Sequence, residues 1–324
     1  MIISKTPFRI SFCGGGTDLR EYYLKRQGSV VSTAINKHMY VMVKDYFDKD
    51  RIFLKYSRTE LVKKVDTIKH PIIREALKLT GVLRGVEIAS MADIPSATGL
   101  GSSSAFTVGL LNALYTHLDE YKSPKELARE ACRLEIDVVG EPIGRQDQYI
   151  AAYGGFRHIL FNQDDTVTTD MIVIPRAVKD ELEGNLMLFY TGITRKASDI
   201  LFEQKKNTAK RMELLDMMKD LSFELREALL KKDITRFGEL LHKNWEYKKK
   251  LASRITNPRI ERYYSLAMKS GALGGKILGA GGGGFMLIYA GQGKHNSIIK
   301  NLSPLRLVPF RLESQGTRIV FKDD

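Results

Sequence analysis

The chain has 324 residues, 43% of them hydrophobic, so it can bury a sizeable core, and its two cysteines, Cys13 and Cys132, lie far apart beside no metal-ligand partners. That usage excludes a disulfide scaffold and a cysteine-ligated metal domain, and no stretch approaches the roughly 18 apolar residues of a membrane span. The formal net charge is +13, but the basic residues are dispersed in short runs such as Lys63-Lys64, Lys205-Lys206 and Lys248-Lys249-Lys250 and alternate with acids on helix-like faces. That dispersion reads as solvated helix faces, and a basic surface also suits small anionic molecules; charge alone does not separate the two, and no nucleic-acid or membrane partner is expected.

The opening segment MIISKTPFRISFC is short and polar for a secretory leader and reads as a strand over Ile2–Cys13, so the expected compartment is the cytoplasm. Further strands are expected at Ser29–Ile35, His38–Phe47, Arg51–Tyr56 and Gly85–Ser90. A helix opens at Ser102 and runs toward Leu118, and a second starts after Ser123, where Ser123, Pro124 and Glu126 spell a capping box with proline at the first helical position. Strands follow at Gly155–Phe161, Thr166–Ile174 and Leu186–Thr191. From Lys196 to about Met268 the pattern is helical, with breaks near Asp233 and Asn257-Pro258. Strands at Phe285–Ala290, Leu305–Leu312 and Thr317–Phe321 close the chain. The fold class is thus α/β (α+β), in two domains of residues 1–190 and 191–324.

Three glycine clusters punctuate this pattern: Gly14-Gly15-Gly16-Thr17-Asp18 after a strand, Pro95 to Ala105 before an apolar helix, and Gly279-Ala280-Gly281-Gly282-Gly283-Gly284 before a strand. A glycine turn feeding a helix N-terminus lets the backbone approach an anion, with unpaired N–H groups and the helix dipole aimed at it. A tight turn with a serine cap would read the same way. The Walker A pattern fails, because Gly275-Lys276 is followed by Ile277. The G-x-G-x-x-G spacing of Gly279, Gly281 and Gly284 precedes a strand, not the helix that a dinucleotide site requires. The six histidines have no metal-ligand spacing.

With these motifs in place, in order from Thr6 to Gly284, the chain resembles the GHMP kinases. The segment P-S-A-T-G-L-G-S-S-S-A is similar to that family's phosphate loop. The first motif, together with Gly140–Tyr149 and Thr191–Ile200, most resembles a branch acting on the anomeric hydroxyl of heptose 7-phosphate. Where galactokinase reads Gly-Glu-His-Thr-Asp, this chain reads Gly-Gly-Gly-Thr-Asp, so its sugar contacts there must differ. The resemblance implies a two-domain kinase fold with the active site in the interdomain cleft, ATP and Mg2+ as cofactors, and a sugar or sugar phosphate as acceptor.

By motif match, Gly99, Leu100, Gly101, Ser102, Ser103 and Ser104 would hold the ATP phosphates, and Ser103 and Glu135 the metal. Taken alone, Glu135 would read as an exposed helical acid paired with Arg129 or Arg133. Asp147 falls at the family's catalytic carboxylate and Arg9 at a basic position beside it; alone they read as a capping aspartate and a solvent-facing strand residue. Gly16, Thr17, Asp18, Gly281 and Gly282 are the acceptor-binding candidates, and Arg145, Arg195 and Lys196 the candidates for an acceptor phosphate. A kinase for a neutral hexose or deoxyhexose such as galactose or fucose, and a non-catalytic sensor on the same fold, are the competing readings.

Overall fold

The first strand, Ile2–Cys13, is buried on both faces over its second half, and this continuous burial makes it the spine of the molecule. The computed structural model describes residues 1–193 and 197–323. Ile2–Cys13 pairs antiparallel with an 18-residue strand, Gly28–Asp45. The two strands expected over 29–47 are therefore one. The register shifts between Pro7 and Phe8, opposite Ile35 to His38, so the chain bulges at Asn36-Lys37 without breaking the ladder.

Around this pair grows a nine-stranded sheet. Val86–Ala92 pairs on one side and Phe156–Phe161 on the other end of the long strand, and the one parallel contact joins Ile52–Lys55 to Val86–Ala92. The helix Ser102–His117 crosses this sheet with nearly every face buried, as expected for an apolar helix at the centre of a core. Gly109 lets it settle there, because a Cβ would lie 2.7 Å from Thr6 Oγ1.

A second, four-stranded sheet contains Leu186–Tyr190, Gly274–Ile277, Phe285–Tyr289 and Arg306–Leu307, and packs under helices Ile234–Lys248 and Pro258–Lys269, while helix Met212–Leu230 lies against Ile2–Cys13 and Gly28–Asp45 of the first sheet. The expected division after residue 190 falls at the end of its first strand. The chain then returns, since Leu312–Glu313 and Arg318–Lys322 add strands to the first sheet. The single strand expected over 305–312 is thus two short pieces in different sheets, separated by Pro309, which has no N–H for either ladder. Helices Pro71–Thr80, Gln146–Tyr153 and Arg176–Asn185 and the strand Gly274–Ile277 were not anticipated.

The two halves share an apolar core, and at the glycine loops they meet through backbone. A Cβ on Gly99 would lie 2.6 Å from Leu278 O, one on Gly279 2.6 Å from Gly99 Cα, and one on Gly284 2.2 Å from Thr98 O. Phe285 N–H donates to Thr98 O across the same contact at 3.2 Å. Gly284 and Gly81 have similar left-handed backbones, at φ 80° and 74°, but a Cβ on Gly81 meets nothing within 4 Å. Gly81→Ala should cost only the left-handed strain, about 1–2 kcal/mol, whereas Gly284→Ala must also separate the two loops and should cost clearly more. Denaturant unfolding of both variants checks this, and equal losses would show that the loop contact carries no stability.

Candidate active site

The helix Ser102–His117 begins at Gly101, whose φ of 74° is left-handed, and no side chain caps it. Its first-turn N–H groups are left for a ligand, with the positive end of the helix dipole behind them. Gly99, Gly101, Ser102, Ser103 and Ser104 line a cavity of about 630 Å³. Leu100 is the exception: its side chain is in the core, while its carbonyl accepts the Arg9 N–H at 3.0 Å. The far side of this cavity is apolar and aromatic, with Tyr56, His70, Met91 and Phe106 along it. Tyr56 and His70 meet edge to face at 4.9 Å and His70 and Phe106 at 5.3 Å, a surface suited to a flat ring.

Glu135 is fully buried, not the exposed helical acid that the sequence alone allows. The helix Pro124–Cys132, started by the anticipated capping box, widens at Arg133–Val138 to i→i+5 hydrogen bonding, as Val139 N–H to Leu134 O at 2.9 Å shows. Such a wide turn changes the direction of a side chain, and here it accompanies an inward carboxylate. Oε1 accepts from Ser103 Oγ at 2.9 Å and Thr107 Oγ1 at 3.0 Å, and Oε2 from Ser104 Oγ at 2.8 Å and Gln148 Nε2 at 2.6 Å. Burial pushes this carboxyl up from its ordinary range, against the pull of those four donors. Every one of them is neutral. A buried carboxylate beside a serine, without a cation of its own among the described residues, fits a hard divalent ion.

Arg9 and Asp147 stand where two cavities meet. Arg9 Nε and Nη2 donate to the two Asp147 oxygens at 2.7 and 2.6 Å, and Nη1 donates to Gly99 O at 2.6 Å. Asp147 sits in the first turn of helix Gln146–Tyr153. Gly101 keeps the approach clear, since a Cβ there would lie 3.1 Å from Asp147 Oδ2. Both residues also line a smaller cavity of about 80 Å³, with Gly16, Asp18, Gln146, Gln204 and Lys276. Asp18 is buried; Oδ1 accepts from Gly16 N–H at 2.8 Å and Oδ2 from Gln146 Nε2 at 2.9 Å. Burial pushes its carboxyl up, and the negative charge of Asp147 adds to the rise. A bidentate carboxylate between two cavities can accept or orient a hydroxyl proton on one side of a phosphoryl donor.

Several sequence candidates are placed elsewhere. Thr17 is fully buried and its hydroxyl is used inside the turn, donating to Gly14 O at 2.8 Å and accepting from Ser29 N–H at 2.9 Å. Arg145 lies over the Tyr23 ring and pairs with Asp165 at 2.8 Å, so its charge is already matched outside both cavities. Gly281 and Gly282 pack on Ile255, and it is Gly279 and Ala280 that line both cavities. Arg195 and Lys196 lie outside the described residues. Sequence reasoning missed Lys276, Lys248 and Gln204: Lys248 and Gln204 stand among other polar residues of helix patterns, and Lys276 follows a glycine pair that fits no nucleotide motif. Lys276 is buried, donates to Ser11 O and Phe12 O at 2.8 Å each, and thereby ties the second sheet to the first strand.

The family model for the GHMP kinases N terminal domain matches residues 60–155 and that for the GHMP kinases C terminal matches residues 225–303. A D-glycero-alpha-D-manno-heptose 7-phosphate kinase of Campylobacter jejuni is 31% identical over 314 residues, covering 93% of each chain. A galactokinase of Pyrococcus furiosus is 25% identical, covering 92% of this chain and 91% of that one. Among solved structures, a D-glycero-D-manno-heptose 1-phosphate kinase from Bacteroides thetaiotaomicron superposes with a TM-score of 0.83 over all of both chains at 23% identity, a likeness of fold.

Burial, and then the nearby Arg9 charge, lowers the Lys276 ammonium from its ordinary 10.5 to about 8. Between those values the unfolded chain binds a proton that the folded chain has released, so stability rises with pH across the window and is lowest below it. The unfolding free energy of wild type minus that of Lys276→Met should therefore climb from pH 8 to pH 10, by up to about 1.4 kcal/mol per unit. Denaturant titrations at three pH values measure this, and a flat difference would contradict the buried charge.

Proposed function

This chain belongs to the GHMP kinases, ATP-using phosphotransferases with an alcohol acceptor, and on that premise we propose that this sugar kinase phosphorylates the anomeric hydroxyl of a sugar phosphate. The best candidate acceptor is D-glycero-D-manno-heptose 7-phosphate, giving the 1,7-bisphosphate. The observation that carries the reading is the Arg9–Asp147 pair on the shared wall of the two cavities. The larger cavity, with its helix N-terminus and aromatic far side, suits a nucleotide, and the smaller one suits part of a sugar.

In this reading Asp147 orients the acceptor hydroxyl and takes up its proton. Arg9 holds both Asp147 oxygens and steadies the negative charge that develops between donor and acceptor. Mg2+, held by Ser103 and Glu135, would neutralise phosphate charge on the nucleotide. Asp18 and Gly16 border the acceptor, and the cytoplasm is the compartment where such a substrate and ATP meet. The similarity to the Campylobacter enzyme supports the acceptor class. Since Arg145 is matched by Asp165, the acceptor phosphate falls to Arg195 or Lys196.

The test compares heptose 7-phosphate with unphosphorylated heptose, galactose and fucose, in wild type and Arg195→Ala. We expect kcat/KM to favour the sugar phosphate, and Arg195→Ala to lose roughly 10- to 150-fold through the acceptor KM while KM for ATP stays put. Equal kcat/KM for heptose and its 7-phosphate would favour a neutral-sugar kinase. A preference undiminished in Arg195→Ala would move the phosphate contact to Lys196 or elsewhere.

A further inference from the structure

Resting on the kinase reading above, we propose that Gln204, with Ser11 on the other side of the first glycine turn, determines acceptor specificity by hydrogen-bonding sugar hydroxyls. Gln204 belongs to helix Ala197–Asn207, from the second half of the chain, yet it lines the smaller cavity formed largely by the first. It is 6% exposed. Its main-chain carbonyl accepts from Thr208 Oγ1 at 3.0 Å, but its side-chain amide has no protein partner among the described residues. Ser11 Oγ is likewise buried, has no partner among the described residues, and lines the same cavity.

The glycine turn is shaped around these two groups. A Cβ on Gly16 would lie 2.5 Å from Gln204 Nε2, and one on Gly15 3.7 Å from Ser11 Oγ. The turn therefore offers backbone, and the polar side chains that border the cavity come from elsewhere. The other polar side chains there already have protein partners: Asp18 holds Gly16 N–H and Gln146, Gln146 also accepts from Ser32 Oγ at 3.3 Å, Arg9 and Asp147 hold each other, and Lys248 and Lys276 donate to main-chain carbonyls. Among the described residues, the polar side chains of this cavity without a protein partner are Gln204 and Ser11. A carboxamide offers two donors and an acceptor, and a hydroxyl offers one donor and two acceptors, a set that hydroxyl groups satisfy in both directions. A site with buried polar groups rejects an analogue lacking their partner far more strongly than an apolar pocket rejects a change of size. The inferred ligand chemistry is a polyhydroxylated acceptor, read by its hydroxyls where Gln204 closes over the turn.

The experiment measures steady-state kinetics of wild type, Gln204→Leu and Ser11→Ala with the preferred sugar acceptor and its monodeoxy analogues. Gln204→Leu should raise the acceptor KM roughly 5- to 150-fold and leave KM for ATP within about twofold. At least one monodeoxy analogue that wild type disfavours should serve the variant as well as the parent sugar does. If Gln204→Leu does not fold, Gln204→Met, of similar length, carries the same test. Unchanged discrimination against every monodeoxy analogue would overturn the inference, as would parallel rises in both KM values, which mark a structural role. Failure of wild type to phosphorylate any sugar would overturn the kinase reading, and the inference with it, before any variant is compared.

Discussion

The structure depends on one guanidinium. Arg9 spends Nε and Nη2 on Asp147, Nη1 on the Gly99 carbonyl, and its own N–H on the Leu100 carbonyl. A single residue of the first strand thereby fixes helix Gln146–Tyr153 and the turn that feeds helix Ser102–His117. The pair is largely withdrawn from water, with side-chain exposures of 7% and 21%, so removing one partner leaves the other buried and uncompensated. Breaking such a pair typically costs about 3–5 kcal/mol, which makes the same contact a structural tie and a chemical centre.

The second constraint is steric. The loop of residues 95–104 and that of 279–284 touch backbone to backbone, and at Gly99, Gly279 and Gly284 no side chain could be accommodated. That closeness sets the wall shared by the two cavities, because Gly279 and Ala280 line both. Lys276 and Lys248 add hydrogen bonds beneath it, from Lys276 to Ser11 O and Phe12 O and from Lys248 to Ile277 O. These main-chain acceptors and buried cations act beside an apolar core that both halves share, in which Phe12 meets Phe237 edge to face.

Much of this was legible in the sequence where local chemistry decides local structure. The bounds of Ile2–Cys13, the start of helix Ser102–His117 and the Ser123 capping box follow from alternation, glycine and side-chain-to-backbone bonding. Residues that act across long separations were legible only through the motif resemblance. Glu135 looks like any helical acid until its four donors, 13 to 32 residues away in sequence, surround it. Gln204 and Lys276 carry no local signal, because their environment is assembled from the opposite half of the chain. The pairing of Arg145 was hidden for the same reason: its partner, Asp165, sits 20 residues on, in a turn that sequence spacing does not bring near.

Asp147→Asn tests the central claim most directly, because the amide keeps the size of the carboxylate and removes its capacity to take a proton. The account predicts that kcat falls by roughly 100-fold or more while ATP binding, measured by calorimetry on the same protein, changes by no more than a few-fold. A variant that folds, binds ATP and keeps more than about a tenth of the wild-type kcat would contradict it.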